Sequence, residues 1–350
     1  MKLIKTTLII FVAVLGLISC GPKDTGLFPV TQNGKDGFID KAGKIVINPQ
    51  FDSASRFVEG LARICIGKDV NANADMRKCG FVDTAGQYVI NPQFDTADDF
   101  SEGLALVSIG KRKGYVDTSG KMVINPQFDT AGSFSEGLAN VEVFKYIDKT
   151  GKVVIDLQSK RLRGEKFSDG LAAVYSMDES KWGYIDKTGN IVIQPQFYGS
   201  AGGGADAGEF TEGLARISIA GKRGYIDKSG KLIINPQFES ADNFSEGLAC
   251  VQVGGKFGFI DKTGKFVINP QFESAGSYFG SVGFSDELAI VQVKDRYGYI
   301  DKSGKYVINP QFDYGSQDFS KGLAHVVAGK DPSKFGYIDK TGKYIWNPTN

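Results

Sequence analysis

The stretch Gly224-Tyr-Ile-Asp-Lys-Ser-Gly-Lys-Leu-Ile-Ile-Asn-Pro-Gln-Phe238 decides the fold, because versions of it occur nine times in 350 residues. Each version turns on an Asp-x-x-Gly that begins at Asp40, Asp83, Asp117, Asp148, Asp186, Asp227, Asp261, Asp301 or Asp339. An Asp opening a type I turn accepts from backbone amides two residues on, and the Gly supplies the positive φ that closes a three-residue hairpin. The flanking runs, Gly-Tyr-Ile before and Leu-Ile-Ile after, are β-branched and aromatic, as strands require.

Working outward, a further strand beginning with Leu precedes each hairpin, at Leu61, Leu104, Leu138, Leu171, Leu214, Leu248, Leu288 and Leu323. In Leu248-Ala-Cys-Val-Gln-Val253 the side chains alternate between two faces, so the unit is a three-strand meander. Units are joined by Asn-Pro-Gln-Phe-Asp-x-Ala-x-x-Phe-Ser-Glu-Gly, as at Asn91 to Gly103. Pro cannot donate to a ladder and holds the residue before it extended, and the final Gly reverses the chain. Phe94 with Phe100, Phe128 with Phe134 and Phe238 with Phe244 are expected to plug the seams between units. A very short fourth strand is expected in Gln-Phe-Asp.

Successive turn Asp residues are 43, 34, 31, 38, 41, 34, 40 and 38 positions apart. A basic period near 34 places insertions at Lys68 to Lys78, Tyr198 to Glu209 and Gly276 to Ser285. The fourth unit departs most, with Lys145 where Gly usually stands and Asp156-Leu-Gln-Ser replacing Asn-Pro-Gln-Phe. The fold class is therefore all-β, a tandem array of nine antiparallel β-meander repeats. The first unit begins at Leu27-Phe-Pro-Val-Thr-Gln32 and the last ends at Trp346-Asn-Pro348, so no unit is divided between the two ends of the array. Closed propellers commonly fasten their ring by such a division, so the expectation is an open, curved, solenoid-like stack, with a closed β-propeller as the alternative.

The N-terminal segment divides into a signal peptide at residues 1–19, a tether at residues 20–26 and the repeat array at residues 27–350. Lys2 and Lys5 form a positive n-region ahead of an apolar run from Leu8 to Ile18. Leu17-Ile18-Ser19-Cys20 resembles the lipobox of bacterial lipoproteins, which implies a lipidated Cys20 carrying palmitate-type acyl chains. Two or more such chains anchor a protein stably. The expected location is the cell envelope, at an outer membrane or cell surface.

Lys181-Trp-Gly-Tyr-Ile-Asp-Lys-Thr-Gly189, with Ile193-Gln-Pro-Gln-Phe197 and Phe210-Thr-Glu-Gly-Leu-Ala215, resembles the bacterial WG repeat across nearly the whole array. Trp182 alone keeps the tryptophan. Phe144, Phe257, Tyr297 and Phe335 replace it with another aromatic, whereas Asp36, Cys79, Lys113 and Arg223 do not. The resemblance implies a repeat scaffold and no defined enzymatic activity.

The formal charge of +1 becomes −1 once Lys2 and Lys5 are removed, and a nucleic-acid binder would carry a basic excess. His325 is the single histidine, and no Gly-Lys is followed by Ser or Thr, so neither a His-based triad nor a P-loop is expected. Carboxylate pairs such as Asp227 with Glu246 recur from unit to unit, whereas a catalytic pair is used once. One carboxylate per turn falls short of a calcium shell. No enzyme activity, cofactor, metal or small-molecule substrate is expected.

Cys65 and Cys79 flank the longest turn insertion and form a disulfide if the strands bring them opposite each other, while Cys250 is read as a packed thiol. The third position of the Leu-Ala strand varies: Arg63, Leu106, Asn140, Ala173, Arg216, Cys250, Ile290 and His325. On a stack these residues form one row, the candidate binding row. Lysines at the tips, such as Lys149 and Lys187, and acids in the connectors, such as Glu102 and Glu136, are expected on separate edges. The functional expectation is a membrane-anchored interaction scaffold for a protein or an envelope glycan. A purely structural spacer is the alternative, and an envelope hydrolase a distant third.

Overall fold

The Asp-x-x-Gly stretches are hairpin tips throughout the computed structural model, which describes residues 26–67, 77–198, 207–276, 283–313, 316–327 and 335–349. At one tip, Asp117 Oδ1 accepts from the amides of Ser119 and Lys121 at 2.9 and 3.0 Å and from the Ser119 hydroxyl at 2.6 Å. The Ser119 hydroxyl and these two amides hold the Asp117 carboxyl below its ordinary range. Each tip joins the two outermost strands of one antiparallel sheet, and nine such sheets of three or four strands follow one another along the chain.

Blade 2 has all four strands: Ser53–Ala54, Ala62–Ile66, Lys78–Val82 and Tyr88–Phe94, paired in chain order. The short strand is not in Gln-Phe-Asp. Gln-Phe completes the outer strand, where Phe51 pairs with Asp36. The short strand starts two residues after that Phe, at Ser53–Ala54, Thr96–Ala97, Ser240–Ala241 and Ser274–Ala275, and is the inner strand of the next blade. A repeat of sequence thus spans the outer half of one blade and the inner half of the following one.

The glycine after the tryptophan position has a steric cause. Between Asp36↔Phe51 and Phe38↔Ile47 the outer strand carries two extra residues, so Asn48-Pro49 bulges across Gly37. A Cβ would lie 2.5 Å from the isoleucine carbonyl oxygen at Gly37, Gly114, Gly183 and Gly224. Blade 4 carries Lys145 there, and its outer strand Val153–Asp156 has lost the Asn-Pro and pairs Lys145 directly with Asp156. The two departures read in the fourth unit are one change.

Blades pack on one another through apolar clusters, each drawn from two neighbours. Between blades 2 and 3, Phe81, Ile90 and Phe94 meet Ala97, Phe100, Ala105 and Val116. The aromatic of each third strand lies against the connector Phe of the next blade, with centroids 4.7 to 5.0 Å apart in pairs such as Phe81–Phe100, Tyr225–Phe244 and Phe259–Phe284. The connector phenylalanines do fill the seams.

Nine seams occur, not eight, and the ninth corrects the expectation of an open stack. Phe28, Val30 and Ile39 of blade 1 form a cluster with Leu323 and Tyr337 of blade 9, backed by Ile345 and Trp346. Tyr337 Oη donates to Pro29 O at 2.8 Å. Gly43 approaches the carbonyl of Ile345, where within the array Gly86 lies against the Ile47 side chain. The chain is a closed nine-bladed β-propeller. Closure needs no divided blade, because Phe28 stands where other blades have Ala and its ring, 5.6 Å from that of Tyr337, takes the place of the connector Phe. Blade 1 has three strands, Phe28–Gln32, Lys35–Ile39 and Ile45–Phe51, and no inner strand among the described residues. In blade 2 the amide of Arg63 donates to Ser55 Oγ, just past the inner strand; the same position in blade 1 is Pro29, which has no N–H to leave unpaired.

Candidate functional site

The candidate row does not form a free surface. Apart from His325, the third-position side chains lie at the seams with the next blade, beside its inner connector. Leu106, Ala173, Cys250 and Ile290 are buried, and Arg63, Asn140, Arg216 and His325 half-buried. The polar members find partners across the seam: Arg63 Nε reaches Asp99 Oδ1 at 3.4 Å, Asn140 Nδ2 reaches Gly164 O at 3.4 Å, and Arg216 Nη1 donates to Ala241 O at 2.7 Å. Burial pushes the Asp242 carboxyl up, against the lowering effect of the Arg216 guanidinium. Trp182 is likewise buried, its ring tilted against that of Tyr175 with centroids 5.3 Å apart.

His325 lies at the seam of blades 9 and 1, its ring 4.3 Å from that of Phe335. Among the described residues a cleft of about 250 Å3 opens there, lined by residues that include Asp36, Arg56, His325 and Tyr337. Arg56 Nη2 donates to Gln317 Oε1 at 3.0 Å across this gap. Burial, reinforced by the Arg56 charge, lowers His325 to about 4, so its ring is neutral at pH 7.

The separate lysine and acid edges are also corrected. Tips and Ser-Glu-Gly turns lie at the same end of the ring, because successive strands alternate in direction. Lys149 meets Glu102 at 3.2 Å, Lys187 meets Glu136 at 3.0 Å, Lys228 meets Asp169 at 2.9 Å and Lys262 meets Glu212 at 3.0 Å, each from one blade to the preceding one. The same carboxylates cap the next turn, as Glu102 Oε2 does by accepting from Gly137 N at 2.9 Å. Burial would raise Glu102, but the Gly137 amide and Lys149 hold it below its ordinary range.

Seven repeated cations remain outside these pairs: Lys44, Lys121, Lys152, Lys231, Lys265, Lys305 and Lys343 are exposed and form no ion pair among the described residues. Each immediately precedes an outer strand. Two residues after six of them, Val46, Val123, Val154, Ile233, Val267 and Val307 are 38% to 45% exposed, and in blades 2 and 5, where Gln87 and Asn190 stand in place of the Lys, Val89 and Val192 are 39% and 43% exposed. In most blades an exposed Asn and Gln follow, as Asn48 and Gln50 do in blade 1. The rim of the propeller thus carries a recurring ladder of Lys, Val, Asn and Gln. From sequence the recurring lysines just past each turn Gly are legible, whereas the Val reads as an ordinary strand flank.

Cys65 and Cys79 pair directly across two strands, and their sulfurs are joined. Burial raises the thiol of Cys250 well above its ordinary value. Cys20 and, within the three insertions, residues 68–76, 199–206 and 277–282 lie outside the described residues. Among the described residues, no group of three or more His, Cys, Asp and Glu side chains is arranged to hold a metal.

A ring of meander blades whose repeat straddles successive blades defines a class of protein, the repeat β-propellers. The chain belongs to the family of the WG containing repeat, whose pattern matches residues 37–68, 80–112, 114–143, 146–176, 182–222, 224–257, 257–297 and 297–329. Eight matches link nine blades, because each match starts in one blade and ends in the next. None of the curated proteins matches the sequence. Among solved structures, a eukaryotic initiation factor is 11% identical over 91% of this chain and 84% of its own, with a TM-score of 0.45. Apo AztD from Citrobacter koseri is 13% identical over 80% and 92%, with a TM-score of 0.40. A streptogramin B lyase is 14% identical over 66% and 89%, with a TM-score of 0.37.

Proposed function

We propose that this chain is a membrane-anchored bacterial lipoprotein whose propeller is an interaction scaffold for a protein or envelope polymer, engaged along its rim. The anchor rests on the lipobox-like Leu17-Ile-Ser-Cys20 and on the apolar run before it. The observation that carries the scaffold reading is the rim ladder. The tip lysines of blades 4 to 8 are held in pairs with neighbouring blades, whereas Lys44, Lys121, Lys152, Lys231, Lys265 and Lys305 form no ion pair among the described residues and stand two residues before an exposed aliphatic side chain on six outer strands. Repeated charge beside repeated apolar surface suits an extended partner that touches several blades at once, and many weak contacts add through effective concentration. The reading assigns binding rather than catalysis.

Capture from isolated envelope fractions tests it. Replacing Lys121, Lys152, Lys231, Lys265 and Lys305 by Gln should abolish capture, while the same change at the already paired Lys149, Lys187 and Lys228 should leave it intact. Equal capture by both variants would refute the rim. Cys20→Ser should move the protein from the membrane pellet to the soluble fraction; retention in the pellet would refute the anchor.

A further inference from the structure

The outer girdle is interrupted at blade 4, and the cause is legible in the spacing of 31 that precedes Asp148. Blade 3 has six-residue strands at Leu104–Ile109 and Arg112–Asp117, whereas blade 4 has three-residue strands at Ala139–Val141 and Lys145–Ile147. The shortened hairpin turns through Glu142 and Val143, which have φ of 52° and 68°. Positive φ is a costly conformation for a β-branched residue. Shortening withdraws the cover from the end of the preceding outer strand. Phe128 is half-buried, whereas its counterparts Phe51, Phe94, Phe238, Phe272 and Phe312 are buried.

The result is a cleft of about 480 Å3 between blades 3 and 4, with half-buried Phe128 and Phe144 in its wall. Arg112, Lys145, Asp129 and Glu142 line it, so its formal charges cancel. Arg112 Nη1 is held by Gln127 O at 3.1 Å and Asp129 Oδ1 at 2.9 Å, and Glu142 Oε1 accepts from Asp129 N at 2.8 Å. Gln127 and Gln158 are exposed at its mouth, and Gln158 also lines an adjoining hollow of about 530 Å3 with Asp156 and Ser159. Gln127 is also the last rung of the rim ladder on blade 3.

We propose that this groove binds a neutral oligosaccharide segment. Half-exposed aromatic faces suit the C–H faces of sugar rings, and planar side chains that both donate and accept suit vicinal hydroxyls. The cancelled charge does not select for an acidic chain. A cleft of this size lies within the range of ligand sites, and the adjoining hollow gives a polymer a continuous path. The inference rests on the scaffold reading and names the chemistry of the partner at one place on the rim.

Calorimetric titration of the full chain in a non-glycosidic detergent, with chitotetraose and with maltotetraose as probes, tests it. One of the two should bind saturably, and Phe144→Ala and Gln158→Ala should each weaken that binding about tenfold or more. Gln93→Ala, the equivalent of Gln127 on blade 2, should not. Gln158 is exposed, so its replacement leaves the fold intact, and thermal melts of all variants confirm that contacts rather than folding were lost. Absence of saturable binding by both probes, or binding that survives both cleft variants, overturns the inference. Envelope capture that persists in the cleft variants leaves the scaffold reading standing, and the rim-lysine variants test that reading separately.

Discussion

A missing methyl group decides the geometry of most blades. At Gly114 a Cβ would lie 2.5 Å from Ile124 O, so Gly114→Ala must push the Asn-Pro bulge off its strand. We expect a loss of about 2 to 3 kcal/mol in urea unfolding, in the range of overpacked core substitutions. Lys145→Gly, in the blade without the bulge, should cost about 1 kcal/mol or less, since it adds only chain entropy. A second prediction concerns pH. His325 titrates near 6.5 in an unfolded chain and at about 4 in the fold. Between those values the unfolded chain takes up a proton that the folded chain refuses, so stability falls as pH drops through this window and levels off below it. The contribution is at most about 3 kcal/mol, and His325→Phe should flatten the urea midpoint across the window. The tip carboxylates, held below their ordinary range, add a separate loss at lower pH, as they protonate below 3.8. The Asp and Gly of the tips were legible in sequence because their chemistry is local to four residues. The direction of the third-position side chains was not, because it depends on which blade stands opposite.

At the scale of elements, strand existence and pairing order follow from period-two patterning and turn residues, whereas ownership of the short strand does not. Ser53–Ala54 follows Phe51 without a break in composition, and only its pairing with Ile64 and Cys65 assigns it to the next blade. The short strand continues directly from the outer strand of one blade and hydrogen-bonds into the next, so it ties neighbouring blades together. The disulfide acts within one blade. Cys65 and Cys79 are 14 residues apart, and a crosslink closing such a loop contributes about 3 kcal/mol in the chain-entropy account. Reduction should therefore lower the thermal midpoint of the oxidised protein, and Cys65→Ser with Cys79→Ser should melt where the reduced protein melts. A midpoint unchanged by reduction would show that the covalent link adds nothing to stability.

At the scale of the molecule, nine apolar seams for nine blades distinguish a ring from a stack. The reading from sequence looked for closure in a divided strand and found none. The closing features, Phe28 at an Ala position and Pro29 at an N–H position, differ from the repeat by single residues and gain meaning only when set against Tyr337. Ring closure also gives the rim its form, since it aims the third-position row into the seams and leaves the outer strands facing solvent.

The distance between the tips of blades 1 and 9 tests closure most directly. Spin labels at Lys41 and Lys340, in a chain with Cys20→Ser and Cys250→Ala, should report by double electron–electron resonance the same narrow separation as labels at the adjacent tips Lys149 and Lys187. A longer or broad distribution, as two ends of an open stack would give, would contradict it.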